Sequence, residues 1–211
     1  LNKQLKILKS KSLVHAADMA IEEISSKDKM ICLTGGRFGL TLTEQFLMKG
    51  IDASNWEMFL TDERLNCLKQ DQIQSSLLPN LEKIRGFNAM NFNPFLQGDY
   101  KDSYKSILHK INDINFDITF LSLGEDGHLA GHFLNSELTN DNRFCHTTNA
   151  IKEPKERISF TVKHLFNSKK VVLAVLGKEK RKAFTDLVES KGLHSNFWNK
   201  NNLVLITDIE I

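Results

Sequence analysis

The chain has 211 residues, 41% of them hydrophobic and 26% charged, with a formal charge of +2. That size and balance fit one α/β domain with a substantial core and exclude a disordered chain. A charge so close to zero gives no basis for nucleic acid or an acidic membrane as partner, yet a small anion needs only two or three local cations.

From the N-terminus, Val14 to Ile24 carries apolar residues at helical spacing. Met30 to Leu33 is a short apolar run that ends in Thr34-Gly35-Gly36, the pattern of a strand entering a glycine turn. Leu40 to Met48 reads as a helix. Trp56 to Leu60 reads as a strand that runs into Thr61-Asp62-Glu63-Arg64. Helical spacing returns at Ile73 to Ile84 and at Tyr100 to Ile111. Phe116 to Leu123 is a strand followed at once by Gly124-Glu125-Asp126-Gly127-His128. Val171 to Leu176 is the most apolar strand, with Gly177 and a helix from Lys178 to Glu189 after it, and Leu203 to Ile206 is the last strand.

Repeated strand, turn and helix predict a mainly parallel sheet with helices on both faces. No Gly/Ser-rich linker and no internal repeat divides the chain, so a single domain over 1–211 is expected. In such sheets ligands bind beyond the carboxyl ends of the strands. Segments 34–39, 61–64 and 124–128 fall at those ends and carry the glycines and charges.

Among them His128 is the candidate acid–base group, because imidazole titrates near neutrality and its glycine-bracketed turn projects from a strand end. Asp126 either shapes that turn or orients the ring. His128 and His132 are four apart, but Leu129 stands where a metalloprotease motif needs glutamate and no third ligand is evident. No metal is expected, and His132 reads as packing or surface. Gly35, Gly36 and Arg37 open a helix, where free amides attract phosphate. The spacing matches neither a dinucleotide fingerprint nor a P-loop. Asp62 and Arg64 favour substrate contact by position. Lys152 and Arg157 lie in a charged loop, and Lys178 to Lys182 reads as a solvated helix start without a role.

No apolar run approaches the ~20 residues of a membrane helix, and the basic segment 1–12 has no apolar centre like that of a secretory signal. Cys32, Cys67 and Cys145 have no metal-like spacing and read as reduced thiols, so a cytoplasmic location is expected.

Taken in order, these segments resemble the 6-phosphogluconolactonases, a family related to the glucosamine-6-phosphate isomerase/deaminases. The family turn Ser-Gly-Gly-Ser-Thr-Pro matches Thr34-Gly35-Gly36-Arg37-Phe38-Gly39. The Asp-Glu-Arg that ends an aromatic strand matches Asp62-Glu63-Arg64. Gly-x-Asp-Gly-His followed by Ala and Phe matches Gly124 to His128 with Ala130 and Phe133. A Lys-Pro-x-x-x-Arg-Ile-Ser/Thr segment falls in step with Lys152 and Arg157-Ile158-Ser159.

Departures are Arg37, Phe38 and Gly39 in the turn, Leu129 after the histidine, and Asp71-Gln72-Ile73 in place of Asp-Ser-Asn. The deaminases keep a glutamate five residues after the histidine, where this chain has Phe133. They also favour tyrosine where it has Arg64. Both differences favour the lactonase branch over a deaminase, and the intact Asp126-Gly127-His128 argues against a non-catalytic sugar-phosphate sensor.

The resemblance implies a three-layer Rossmann-like fold and hydrolysis of a phosphorylated sugar lactone without a cofactor, by a monomer or small homo-oligomer. It implies that His128 takes a proton from water and returns it to the ring oxygen. Arg64 and the Gly35-Gly36 amides would face the oxyanion, Asp126 and Gly127 would form the histidine turn, and Asp62 would accept from sugar hydroxyls. Arg37, Lys152 and Arg157 are the phosphate candidates. Lys152 is favoured over Arg37 because it occupies a matched position.

Overall fold

The computed structural model describes residues 5–111, 115–197 and 201–210. In chain order its first half comprises β1 (Lys6–Lys9), α1 (Leu13–Glu22), β2 (Met30–Leu33), α2 (Gly36–Met48), β3 (Glu57–Leu60), β4 (Asp62–Arg64), α3 (Ile73–Leu81), β5 (Phe92–Asn93) and α4 (Tyr100–Ile111). The second half comprises β6 (Ile118–Ser122), β7 (Glu137–Leu138), β8 (Phe144–Thr147), β9 (Arg157–Phe160), α5 (Val162–Leu165), β10 (Lys170–Val175), α6 (Arg181–Val188) and β11 (Leu203–Thr207).

Seven strands form one sheet in the order β1-β11-β10-β6-β2-β3-β5, and every neighbouring pair is parallel. Both faces of its inner strands are buried, which is why β2, β6, β10 and β11 are runs of largely apolar residues rather than alternations with polar ones. Side chains still alternate in direction. Ile31, Leu33, Met58, Leu60, Val172 and Ala174 pack with α1, α2 and α3 on one face. Cys32, Phe59, Val171, Leu173 and Val175 pack with α4 and α6 on the other.

The predicted helices and strands form close to where their spacing placed them. Differences lie at the ends. α2 starts at Gly36 rather than Leu40. The predicted helix after Gly177 divides into a single 3-10 turn, Lys178–Lys180, and α6.

Periodicity did not show a second sheet, antiparallel, in the order β4-β9-β8-β7. Its strands are two to four residues long, too short for a period to show. β4 and β9 carry charges that only pairing buries. Asp62 faces Ser159 and Arg64 faces Arg157 across this ladder, so the segment around Arg157, expected as a charged loop, contains a buried strand.

The opposite ends of the strands are tied by Asp117, whose carboxylate accepts from the backbone N–H groups of Lys29 and Met30 at 2.8 and 2.9 Å and pairs with Lys169. Burial alone would raise its pKa. The Lys169 hydrogen bond and the two amides outweigh burial and hold it below its ordinary value. This contribution is therefore present above the unfolded-state pKa and is lost as pH falls through the lower folded-state value. Asp117→Ala is expected to lower unfolding free energy by about 1–3 kcal/mol at pH 7. Urea titration should show the gap from the parent narrowing below pH 3.8; a gap that is constant with pH contradicts the ionic clamp.

Candidate active site

A cleft of about 490 Å³ opens at the carboxyl ends of β2, β3, β6 and β10, where a parallel sheet is expected to bind its ligand. Thr34 to Phe38, Asp62, Arg64, Ser122 to Glu125, His128, Lys152, Arg157, Gly177, Glu179 and Lys180 reach it from separate segments. Thus the three segments singled out in the sequence do converge, and a fourth strand end joins them.

The turn after β6 sets the histidine. Gly124 N–H donates to the His128 carbonyl at 2.9 Å, and Gly127 adopts φ +87°. The Nδ1 atom of His128 is hydrogen-bonded to Asp126 Oδ1. Burial pushes the Asp126 carboxyl up, but the hydrogen bond and charge of His128, with backbone amides, hold it below its ordinary value. An ionised Asp126 accepts the proton on Nδ1, which leaves the Nε2 lone pair as the basic position. Phe133 stacks on the imidazole with ring centroids 4.4 Å apart and fixes the plane of the ring.

Beside His128 lie Asp62, Arg64 and Arg157. Asp62 is buried and accepts from Thr61 Oγ1 at 2.7 Å. Burial raises its pKa, against the opposing influence of Thr61, Arg157, His128 and Arg64. Arg64 Nη1 donates to the Asp71 carbonyl at 2.6 Å. Arg157 Nη2 donates to the Lys152 carbonyl at 3.3 Å, whereas its buried Nη1 has no hydrogen-bond partner among the described residues. A buried guanidinium nitrogen left in this state calls for an oxygen acceptor.

The other end of the cleft is cationic. Arg37 pairs with Glu179 at 3.0 Å and Lys152 with Glu125 at 3.1 Å; all four side chains are exposed, so both pairs are weak. Lys180 differs, being half-buried with its Nζ donating to the neutral Ser122 Oγ at 3.0 Å. Burial, then the nearby charges of Arg37 and Lys152, depress its pKa. An anion here would relieve that repulsion. The first amides of α2 point to the same end: Gly35 caps that helix without a side chain, so nothing local occupies them.

Of the residues expected from sequence, Gly35, Gly36, Arg37, Asp62, Arg64, His128, Lys152 and Arg157 line the cleft. Asp126 and Gly127 do not, and act on it through His128. His132 lies behind the cleft, against His194 and the Val162 amide. Among the described residues no group of three His, Cys, Asp or Glu could hold a metal ion. All three cysteines are free thiols.

Sequence reading missed Lys180, which it had placed in a solvated run. The available signal was Gly177 at the end of the most apolar strand, a fourth polar strand end like the other three.

A family model described as glucosamine-6-phosphate isomerases/6-phosphogluconolactonase matches residues 8–196. The 6-phosphogluconolactonase of Borreliella burgdorferi is 30% identical over 178 residues, covering 78% of this chain and 75% of that one. The chain belongs to the glucosamine-6-phosphate isomerase/6-phosphogluconolactonase family.

The crystal structure of 6-phosphogluconolactonase from Thermotoga maritima matches with a TM-score of 0.77 at 21% identity, covering 97% of this chain and 99% of that one. A monomeric glucosamine-6-phosphate deaminase matches at 0.81 and 14% identity, covering 96% and 97%. Both branches of the family therefore share this fold, and the cleft residues must separate them. The position five residues after the histidine is the aromatic wall Phe133, a side chain without acid–base chemistry.

The geometry makes Gly124 indispensable to the turn. A Cβ there would lie 2.2 Å from His128 Nδ1 and 2.7 Å from Asp126 Oδ1, so both groups would have to move. In Gly124→Ala the imidazole NMR signal of the Nδ1 proton is expected to shift or broaden while the backbone spectrum away from 122–133 stays fixed. An unchanged imidazole signal would rule out the close approach.

Proposed function

We propose that this protein hydrolyses 6-phosphoglucono-1,5-lactone to 6-phosphogluconate. The observation that carries this reading is a carboxylate-held histidine at one end of a strand-end cleft whose other end gathers Arg37, Lys152, Lys180 and the α2 amides. One end suits ester hydrolysis and the other suits phosphate. The curated relative in Borreliella burgdorferi, which bears the lactonase name, favours the same branch.

In this mechanism His128 Nε2 accepts a proton from water as the water oxygen attacks the lactone carbonyl. Negative charge develops on the carbonyl oxygen, where Arg64 stabilises it. The bond from carbonyl carbon to ring oxygen then breaks, and His128 returns its proton to that oxygen. The freed carboxyl group ionises. Asp126 keeps the imidazole in the tautomer that needs its base on Nε2 and stabilises the imidazolium between the two transfers. Asp62 accepts from a sugar hydroxyl, and Arg157 and Lys180 donate to phosphate oxygens beside Lys152 and Arg37.

The direct test is the rate on freshly generated 6-phosphogluconolactone, corrected for spontaneous hydrolysis. His128→Ala is expected to fold and to lose roughly 10²–10⁴-fold in turnover, with a far smaller loss in His132→Ala. Equal losses would show that the histidine roles are wrongly assigned. Sustained ammonia release from glucosamine 6-phosphate would move the protein to the deaminase branch.

Lys180 separates the two ends of the cleft. A charged hydrogen bond is worth about 1.5–3 kcal/mol, or roughly one to two decades of affinity. Lys180→Ala should raise KM for the phosphorylated lactone by about that factor and leave the rate on unphosphorylated gluconolactone nearly unchanged. Matching losses on the two substrates would instead place Lys180 at the ester.

A further inference from the structure

Glu63 is the one residue of Asp62-Glu63-Arg64 that does not line the cleft, and it is completely buried. Its Oε1 accepts from Ile73 N–H at 2.6 Å and Arg64 N–H at 2.7 Å, and its Oε2 from Gln74 N–H at 2.8 Å. The first two amides of α3 are thus capped from another strand, while the local cap residue, Gln72, makes no side-chain capping bond. Two cleft features hang on this anchor. The Asp71 carbonyl, just before α3, receives the Arg64 guanidinium at 2.6 Å. The Ile73 side chain fills the space beside Gly35, where an added Cβ would come within 2.8 Å of it.

Burial pushes the Glu63 carboxyl up from 4.5 to about 7, with the three amides opposing and Asp62 adding to the rise. The other charged or titratable groups facing it are Arg64 on its own strand, Cys67 just beyond, and Arg157 on β9; α3 brings amides and no charged side chain. A neutral cap would hold α3 with less penalty. An ionised carboxylate, unlike a neutral cap, can accept from all three amides at once.

We propose that Glu63 is a positioning residue, which sets the Arg64 guanidinium in the geometry that receives the oxyanion and the Gly35 turn in the geometry that receives the phosphate. This rests on the lactonase reading above. Because its folded-state pKa is raised, Glu63 supports stability below pH 4.5 and loses that support as pH rises through about 7. Function and stability therefore pull in opposite directions at this residue.

Glu63→Gln separates them. It keeps the shape and one acceptor oxygen but turns an NH₂ group toward the Gln74 N–H. The stability of the variant relative to the wild type is expected to be more favourable at pH 8.5 than at pH 5.5. Its kcat on 6-phosphogluconolactone should fall about ten- to a hundred-fold, the usual consequence of a small misplacement of catalytic groups. A variant that keeps the wild-type kcat overturns the proposal. The wild-type rate is the control for the activity itself. Should it be absent, the affinity of the two proteins for 6-phosphogluconate takes its place, since the carboxylate of that molecule occupies the oxyanion position. Weaker binding by Glu63→Gln then supports the proposal and equal binding overturns it.

Discussion

A parallel sheet buried on both faces leaves only its strand ends for polar chemistry. Here the interior of β2, β3, β6, β10 and β11 is almost wholly apolar, and the charged side chains sit just past their carboxyl ends. Each segment leaves the sheet, turns on a glycine or a short strand, and delivers one or two functional groups. The cleft is the place where these deliveries meet, and its order depends on how each buried charge is satisfied.

Three different solutions are used. Asp126 is satisfied by His128, and in return fixes the imidazole. Glu63 is satisfied by backbone amides, and in return fixes the start of α3. Lys180 is hydrogen-bonded to a neutral hydroxyl, and the repulsion of Arg37 and Lys152 is offset in part by Glu179 and Glu125. The first two are closed arrangements that position other groups. The third is open, and an anionic group completes it. On the proposed reading, that contrast divides a positioned chemical end from an electrostatically hungry binding end, as hydrolysis of a phosphorylated lactone requires.

The parallel sheet was legible because both-face burial writes itself as apolar runs such as Val171 to Leu176, and because Gly35 and Gly124 mark the exits. His128, Arg64 and Asp62 were legible for the same reason: they follow a strand directly. β4 and β9 were not, since a strand of three or four residues is too short to show a period, and the burial of its charges depends on a partner far away in sequence. Lys180 was hidden in a run of lysines and arginines whose members face different ways: Lys178 is exposed, whereas Lys180 turns into the cleft. Glu63 carried no signal of its own, because nothing local foretells that α3 will offer it two amides.

The most direct measurement of the account is a crystal structure with 6-phosphogluconate. The account predicts the phosphate among the α2 amides, Lys180 and Arg157, and the carboxylate between Arg64 and His128, with an oxygen in hydrogen-bond reach of Nε2. A ligand bound in the opposite direction, or with its carboxylate remote from His128, would contradict it.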